Sequence, residues 1–325
     1  MNDFSYTRPT NSTDAIAALL SQPDSVYLGG GTNLIDHLKL GLVTPSRLVD
    51  VRHLGLDKIH SDAHTVTIGA GVTNSTAAYH HEIQTQFPVL SEAILAGASP
   101  QLRNAATTAG NLLQKTRCPY FRDIHSPCNK RDLGSGCAAI EGFNRSHALL
   151  GTSSACIATH PSDMAVALTA LEAVVRVQDS SGIRKIPIDQ FYVAYGEDPA
   201  KENVLKRGDL IVAVEIPRTA WSMHSRYVKA RDRSSFEFAL ASAAVALDFD
   251  GGKIRNCRIA LGGVATKPWR AHAAEAALVG QTAGPEAYRA AAEAELAAAK
   301  AQKDNGFKIE LCKRVIVKAL QEAGA

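Results

Sequence analysis

Four of the chain's six cysteines, Cys118, Cys128, Cys137 and Cys156, fall in one stretch without apolar periodicity, between TTAGNLL and PSDMAVALTALEA. A loop of that length inside a compact domain needs something to hold it. Thiolates around a metal centre would do so, and Gly134, Gly136 and Gly151 allow the sharp bends. The spacings C-x9-C, C-x8-C and C-x18-C include no C-x2-C pair, which disfavours structural zinc and favours soft ligation of an iron–sulfur centre. From Arg103 to His147 the cations Arg103, Lys115, Arg117, Arg122, Lys130, Arg131 and Arg145 meet only Asp123, Asp132 and Glu141, an excess of four against +3 for the whole chain. Such an excess would offset an anionic cluster; an ordinary solvated face or a phosphate partner would use it equally well. Cys257 and Cys312, on strand and helix patterns, read as small core residues.

The 325 residues suffice for two domains of ordinary globular composition. The small net charge excludes nucleic acid as a partner, and no apolar run approaches the ~20 residues of a membrane span. MNDFSYTRPT lacks the zones of a signal peptide, so the expected compartment is reducing, where clustered thiols bind metal or react rather than pair.

In chain order, TDAIAALLS reads as a short helix, and SVYLGGGTNLIDHLKLG as strand, glycine turn and helix start, an arrangement that aims backbone N–H groups at an anion. A bare strand-to-helix turn has the same pattern. RLVDV and HTVTIGAGVT read as strands joined by turns rather than crossover helices, so an α+β layout is expected. Residues 74–97 read as helical, ending on Gly97. Pro161, Ser162 and Asp163 open an apolar helix; GIRKIPIDQFYV and GDLIVAVEIP are strands. From about residue 222 come a strand, a short helix, a hairpin turning on Asp-Gly-Gly, then alanine-rich helices. The expected domains are 1–221, with subdomains of about 1–55 and 56–221 and the cysteine loop at about 115–158, and 222–325, a sheet covered by helices.

The ordered set LGGGTNL, ATTAGNL, PSDMAVALTALEA, LIVAVEIP and YVKARD resembles the FAD-binding medium subunit of the xanthine dehydrogenase family of molybdenum hydroxylases, over essentially the whole chain. With the cysteine loop, it resembles most the FAD and [4Fe–4S] subunit of periplasmic aldehyde oxidoreductases; the medium subunit of 4-hydroxybenzoyl-CoA reductase also carries such a cluster. The resemblance implies a two-subdomain FAD-binding domain of the vanillyl-alcohol-oxidase/PCMH type plus a small C-terminal α+β domain. It implies that Leu28, Gly29, Gly30, Gly31, Thr32, Asn33 and Leu34 wrap the FAD pyrophosphate. Gly97, Ala98 and Ser99 would lie along the flavin, and Thr107, Gly110, Asn111 and Leu113 would floor the site. Ser162 and Asp163 would bind ribityl or ribose hydroxyls, Ile211 would cover the isoalloxazine ring, and Lys229 would approach it as the catalytic group. Cys118, Cys128, Cys137 and Cys156 would hold the [4Fe–4S] cluster.

The implied partners are a large molybdenum-cofactor subunit and a small [2Fe–2S] subunit in a heterotrimer, with an external electron acceptor. The location would be periplasmic on a partner's twin-arginine signal and cytoplasmic otherwise. Alternatives are a subunit of an enzyme resembling 4-hydroxybenzoyl-CoA reductase or xanthine dehydrogenase, a stand-alone flavin oxidoreductase without iron, and a zinc-stabilised binding module.

Overall fold

In the computed structural model, which describes residues 2–324, the chain opens on three parallel strands, Ser5–Thr7, Arg47–Asp50 and Ser25–Leu28, in that spatial order. Helices Ser12–Leu20 and Leu34–Leu40 carry the crossovers. RLVDV and HTVTIGAGVT are joined without a helix, as expected, but the first three strands pair in parallel, which a tight turn alone cannot achieve. The glycine turn leaves the sheet at Leu28, whose register partner is Asp50.

A second sheet is antiparallel throughout, in the order Ile59–Ser61, Thr65–Gly69, Leu210–Pro217, Val174–Asp179, Gly182–Pro187. Where Arg176 pairs with Ala213 and Val177 with Ile211, the register shifts. This bulge turns Ile211 to the same side as Val214 and Ile216, into the largest core, while Leu210 and Val212 pack against the first helix.

A third, antiparallel sheet runs Trp269–Arg270, Lys253–Gly262, Ala241–Asp250, Ser225–Ala230. Gly251 and Gly252, at φ 55° and 83°, make its expected hairpin turn. Helices His272–Leu278, Pro285–Leu296 and Phe307–Ala323 supply side chains to a core of its own. The short helix expected before the hairpin is absent. ASAAVAL is instead a buried central strand, where cross-strand packing overrides alanine's helix preference, and residues 231–240 form an irregular link.

Residues 74–97 form three helices, Asn74–Tyr79, His81–Gln86 and Pro88–Ala96, rather than one. Proline has no N–H and fits only a helix's first turn, so a new helix starts at Pro88. Between the second and third sheets lies helix Asp163–Ala170, buried at every residue from Met164 onward. Among the described residues no helix is long and apolar enough to cross a membrane.

Asp50, fully buried, accepts from Tyr6 Oη on the neighbouring strand and from Arg52 Nη2 at 2.7 Å. Burial alone would raise its carboxyl, but the hydrogen bonds from Arg52 and Tyr6 outweigh it and hold the group well below the usual carboxylate range. With the folded value depressed, its stabilisation is present above the unfolded value of about 3.9 and fades as pH falls through the folded one. Asp50→Asn is expected to cost about 1–3 kcal/mol at neutral pH and to flatten the acid limb of the stability curve, measured by urea unfolding across pH.

Candidate functional site

The glycine turn, the segment after helix Pro88–Ala96 and the N-terminus of helix Asp163–Ala170 surround a cavity of about 470 Å³. Of the residues singled out in the sequence, Thr32, Asn33, Gly97, Ala98, Gly110, Asn111, Asp163 and Lys229 line it. Ala98 holds φ 53°, a left-handed conformation that costs a residue with a Cβ, directly in the wall. Ser99 and Thr107 stand behind the lining as helix caps, accepting from Leu102 N and Gly110 N. Leu113, which is exposed, lies outside the lining, as do the buried Leu28 and the half-buried Gly29, Gly30, Gly31 and Leu34. Ile211 is buried in the core by the bulge and cannot cover a ring seated here. The aromatic surface at the cavity comes instead from Phe236 and Phe238 in the 231–240 link.

Several side chains are committed in ways the sequence does not announce. Asn33 Oδ1 accepts from Lys115 N at 2.9 Å and its amide contacts His37 Nε2 at 3.1 Å, so it braces the turn. Gly30 has no room for a side chain, because a Cβ there would stand 1.8 Å from the Ala105 carbonyl oxygen. Its role is close packing of two loops rather than approach to a phosphate. Gly31 needs its φ of 75°. Ser162 caps its helix through Ala165 N and donates to Asn111 Oδ1 at 2.6 Å. Asp163 accepts from Tyr227 Oη at 2.5 Å and from Lys229 Nζ at 2.8 Å, and Lys229 also donates to Ala96 O. The Lys229 charge, expected to act on a ring, is thus largely neutralised by Asp163.

Arg103 and Arg117, named in the sequence as part of the basic excess that a phosphate partner could use, also line the cavity. Asn74 lines it too and was missed, because no local pattern marks it. Asn74 Oδ1 and Arg103 Nε are buried without a partner among the described residues. Orphan polar atoms of this kind cost about 1–3 kcal/mol each unless a ligand or water meets them. With these, three arginines (Arg103, Arg117 and Arg233) and the apolar Ile94, Leu102 and Met164, the cavity suits an elongated ligand with apolar rings and anionic groups, which fits FAD.

The cysteine loop folds into a small, heavily bonded unit. Asn129 Oδ1 accepts from Gly134 N and Gly136 N, both at 3.0 Å, while its amide donates to Ala155 O at 2.9 Å, tying the Cys128 turn to the Cys156 segment. Cys128 and Cys137 face each other across an isolated bridge. Cys118 and Cys156 share a small apolar cluster with Ala158 and Tyr195. Cys137 and Cys156 lie close enough to act on one another, Cys156 being raised and Cys137 lowered. Burial pushes the Cys118 thiol up to about 11.

The loop thus brings the four expected ligands into one neighbourhood. Yet among the described residues no three His, Cys, Asp or Glu side chains are arranged to hold a metal ion. A donor set of four sulfurs whose local cations include Lys130 fits an anionic iron–sulfur centre in chemistry, though not as a preformed cage.

The basic excess is mostly spent on the protein itself. Arg122 pairs with Asp36 at 2.6 Å, Arg145 with Asp232 at 2.7 Å, and Lys130 with Glu202 at 2.6 Å, while Arg131 donates to the Tyr120 and Phe121 carbonyls. Glu202 also holds Lys115 at 2.5 Å. Lys130 remains close enough to Cys156 to favour its thiolate. A second cavity, of about 180 Å³, touches Cys118 and His147 and shares Arg117, Pro161, Asp163, Glu237 and Phe238 with the large one. Only this shared wall separates the cysteine loop from the large cavity.

Comparison with known proteins accords with this geometry. The FAD binding domain in molybdopterin dehydrogenase matches residues 2–219, and the CO dehydrogenase flavoprotein C-terminal domain matches residues 226–323. The chain is 48% identical to the aldehyde oxidoreductase FAD-binding subunit PaoB of Escherichia coli, covering 100% of this chain and 99% of that one. It is 26% identical to the carbon monoxide dehydrogenase medium chain of Hydrogenophaga pseudoflava, over 99% and 97% of the two chains. Among solved structures, quinoline 2-oxidoreductase from Pseudomonas putida superposes with a TM-score of 0.77 at 25% identity, covering 99% and 97%. Carbon monoxide dehydrogenase from Hydrogenophaga pseudoflava gives 0.77 at 26%, covering 99% and 98%.

The contact at Gly30 gives a direct expectation. Gly30→Ala drives a Cβ into backbone, whereas at Gly29 the nearest atom, 3.0 Å away, is the Thr107 hydroxyl. Gly30→Ala should therefore destabilise by about 1–3 kcal/mol through overpacking and Gly29→Ala by clearly less, measured by thermal and urea unfolding of both variants.

Proposed function

This chain belongs to the FAD-binding subunits of the molybdenum hydroxylase family of oxidoreductases, and we propose that it is the electron-transfer subunit of an aldehyde oxidoreductase, seating FAD in the 470 Å³ cavity. The observation that carries this reading is the cavity itself, bounded by Thr32 and Asn33 at the end of the glycine turn and bearing two unpartnered buried polar atoms among arginines. Thr32 and Asn33 at the end of the glycine turn, with Arg103 and Arg117, would hold the phosphates; Asn111 and Asp163, braced by Ser162, would meet hydroxyls; Phe236 and Phe238 would lie against the ring. Bound there, the flavin supplies one- and two-electron chemistry. The chain's own part is to position it, to keep Lys229 and Asp163 as a neutral pair at the wall, and to exclude water with Ile94, Leu102 and Met164.

The organic substrate would be oxidised on a partner. We assign to the complex a large molybdenum-cofactor subunit and a small [2Fe–2S] subunit that delivers electrons to this chain, with an external acceptor taking them away. Cys118, Cys128, Cys137 and Cys156 would ligate a [4Fe–4S] cluster. What supports this is their convergence in one loop beside the wall of the FAD cavity. Residues 1–221 would form the flavin-binding domain and 222–325 the second domain, each sheet region having its own core.

Two measurements test the reading. Purified chain is expected to contain flavin, iron and acid-labile sulfide; Cys128→Ser should lose the iron and keep the flavin, and iron unchanged in that variant removes Cys128 from the ligand set. Asp163→Asn, which unpairs a buried lysine, should weaken FAD binding at least tenfold, about 1.4 kcal/mol, in a titration of the deflavinated protein. An undiminished affinity would place the flavin elsewhere.

A further inference from the structure

His147 is 2% exposed, and its Nε2 stands 3.1 Å from Cys118 Sγ. Its other ring nitrogen, Nδ1, is buried without any partner. A neutral imidazole carries one proton, which belongs on the nitrogen that has an acceptor. Here that is Nε2, facing the sulfur, since a proton on Nδ1 would be stranded.

The ring is held from far along the chain. His147 O accepts from Lys308 Nζ at 2.8 Å and from Asn305 Nδ2 at 3.2 Å. Lys308 is fully buried and also donates to Ser146 O and Gly263 O, with no carboxylate among its hydrogen-bond partners. Burying a lysine on three carbonyls is costly, and its visible result is to fix the backbone on either side of the imidazole. His147 also lines the small cavity that shares a wall with the FAD cavity. A side chain so placed, donating to the one cysteine sulfur that lines this cavity, has a role beyond filling space.

We propose that His147 is a positioning residue for the sulfur centre, whose Nε2–H donates a hydrogen bond to Cys118 Sγ and raises the reduction potential of the cluster held there. This rests on the reading of Cys118 as a cluster ligand. Hydrogen bonds to ligating sulfur stabilise the reduced, more negative state and are a recognised lever on potential.

The test uses the full chain in its native assembly. His147→Phe removes the donor at similar bulk, and His147→Gln restores an N–H. In a redox titration followed by electron paramagnetic resonance, His147→Phe should make cluster reduction about tenfold less favourable, a shift of ~59 mV for one electron. His147→Gln should recover most of it, with iron content unchanged in both. A potential in His147→Phe equal to that of the unsubstituted protein overturns the inference. If the variants do not retain iron, the unsubstituted protein labelled with 15N-histidine decides. Pulsed resonance on its reduced cluster should show a histidine nitrogen coupling, and none would overturn the inference. Absence of iron and sulfide from the unsubstituted protein would instead defeat the cluster reading itself, a result that does not depend on His147.

Discussion

Asp163 accepts from Tyr227 and Lys229 while its neighbour Ser162 donates to Asn111, so three stretches separated by 51 to 66 residues meet at the start of one buried helix. The Lys229–Asp163 pair is almost wholly removed from water, its side chains 4% and 10% exposed. In such a pair desolvation offsets much of the attraction, so its net stabilisation is small while loss of one partner is costly. Its consequence is geometric. Through Tyr227 and Lys229 it ties strand Ser225–Ala230 of the third sheet to the start of helix Asp163–Ala170, and the cavity opens along that seam. The seam would be ill-defined if only apolar contacts joined the two cores, because those are not directional.

The cysteine loop shows the same economy of polar groups. Its cations are spent on Asp36, Glu202, Asp232 and backbone carbonyls, which give a segment poor in apolar side chains a defined shape. Little of the basic excess is left as free charge near sulfur. Nearest the sulfurs is Lys130, itself paired with Glu202 and Pro199 O and 3.8 Å from the centre of the Tyr195 ring, beside Cys156. The loop is therefore built largely by its own hydrogen bonds, with the four sulfurs gathered as a result.

Much of the fold was legible. LGGGTNL marks a strand and a turn because Gly31 needs φ 75° and Gly30 has backbone against it, and both demands show as glycine in the sequence. The hairpin at Gly251–Gly252 is legible for the same reason. The parallel first sheet was not, since strands of three or four residues carry too little pattern to tell pairing direction. The alanine-rich strand Ala241–Asp250 was misjudged in part because alanine's helix preference is weak against cross-strand packing. In the site, Ile211 was misplaced because a bulge reverses the facing of a strand residue, and a bulge has no signature at that position. Asn74 was missed, and Arg103 and Arg117 were left undivided from the rest of the basic excess, because nothing local distinguishes a cavity-lining polar residue from a solvated one.

The sequence by itself determined what is encoded over short distances: the glycine turn, the proline and serine caps, and a cysteine-rich loop without periodicity. These follow from backbone sterics and from hydrogen bonds between residues three or four apart. Only the tertiary structure decided that Lys229 is neutralised by Asp163, that His147 faces Cys118 under the hold of Lys308, and that one wall divides the two cavities. Those contacts join residues 29 to 161 positions apart, and their energies depend on burial and direction, which exist only once the chain has closed on itself.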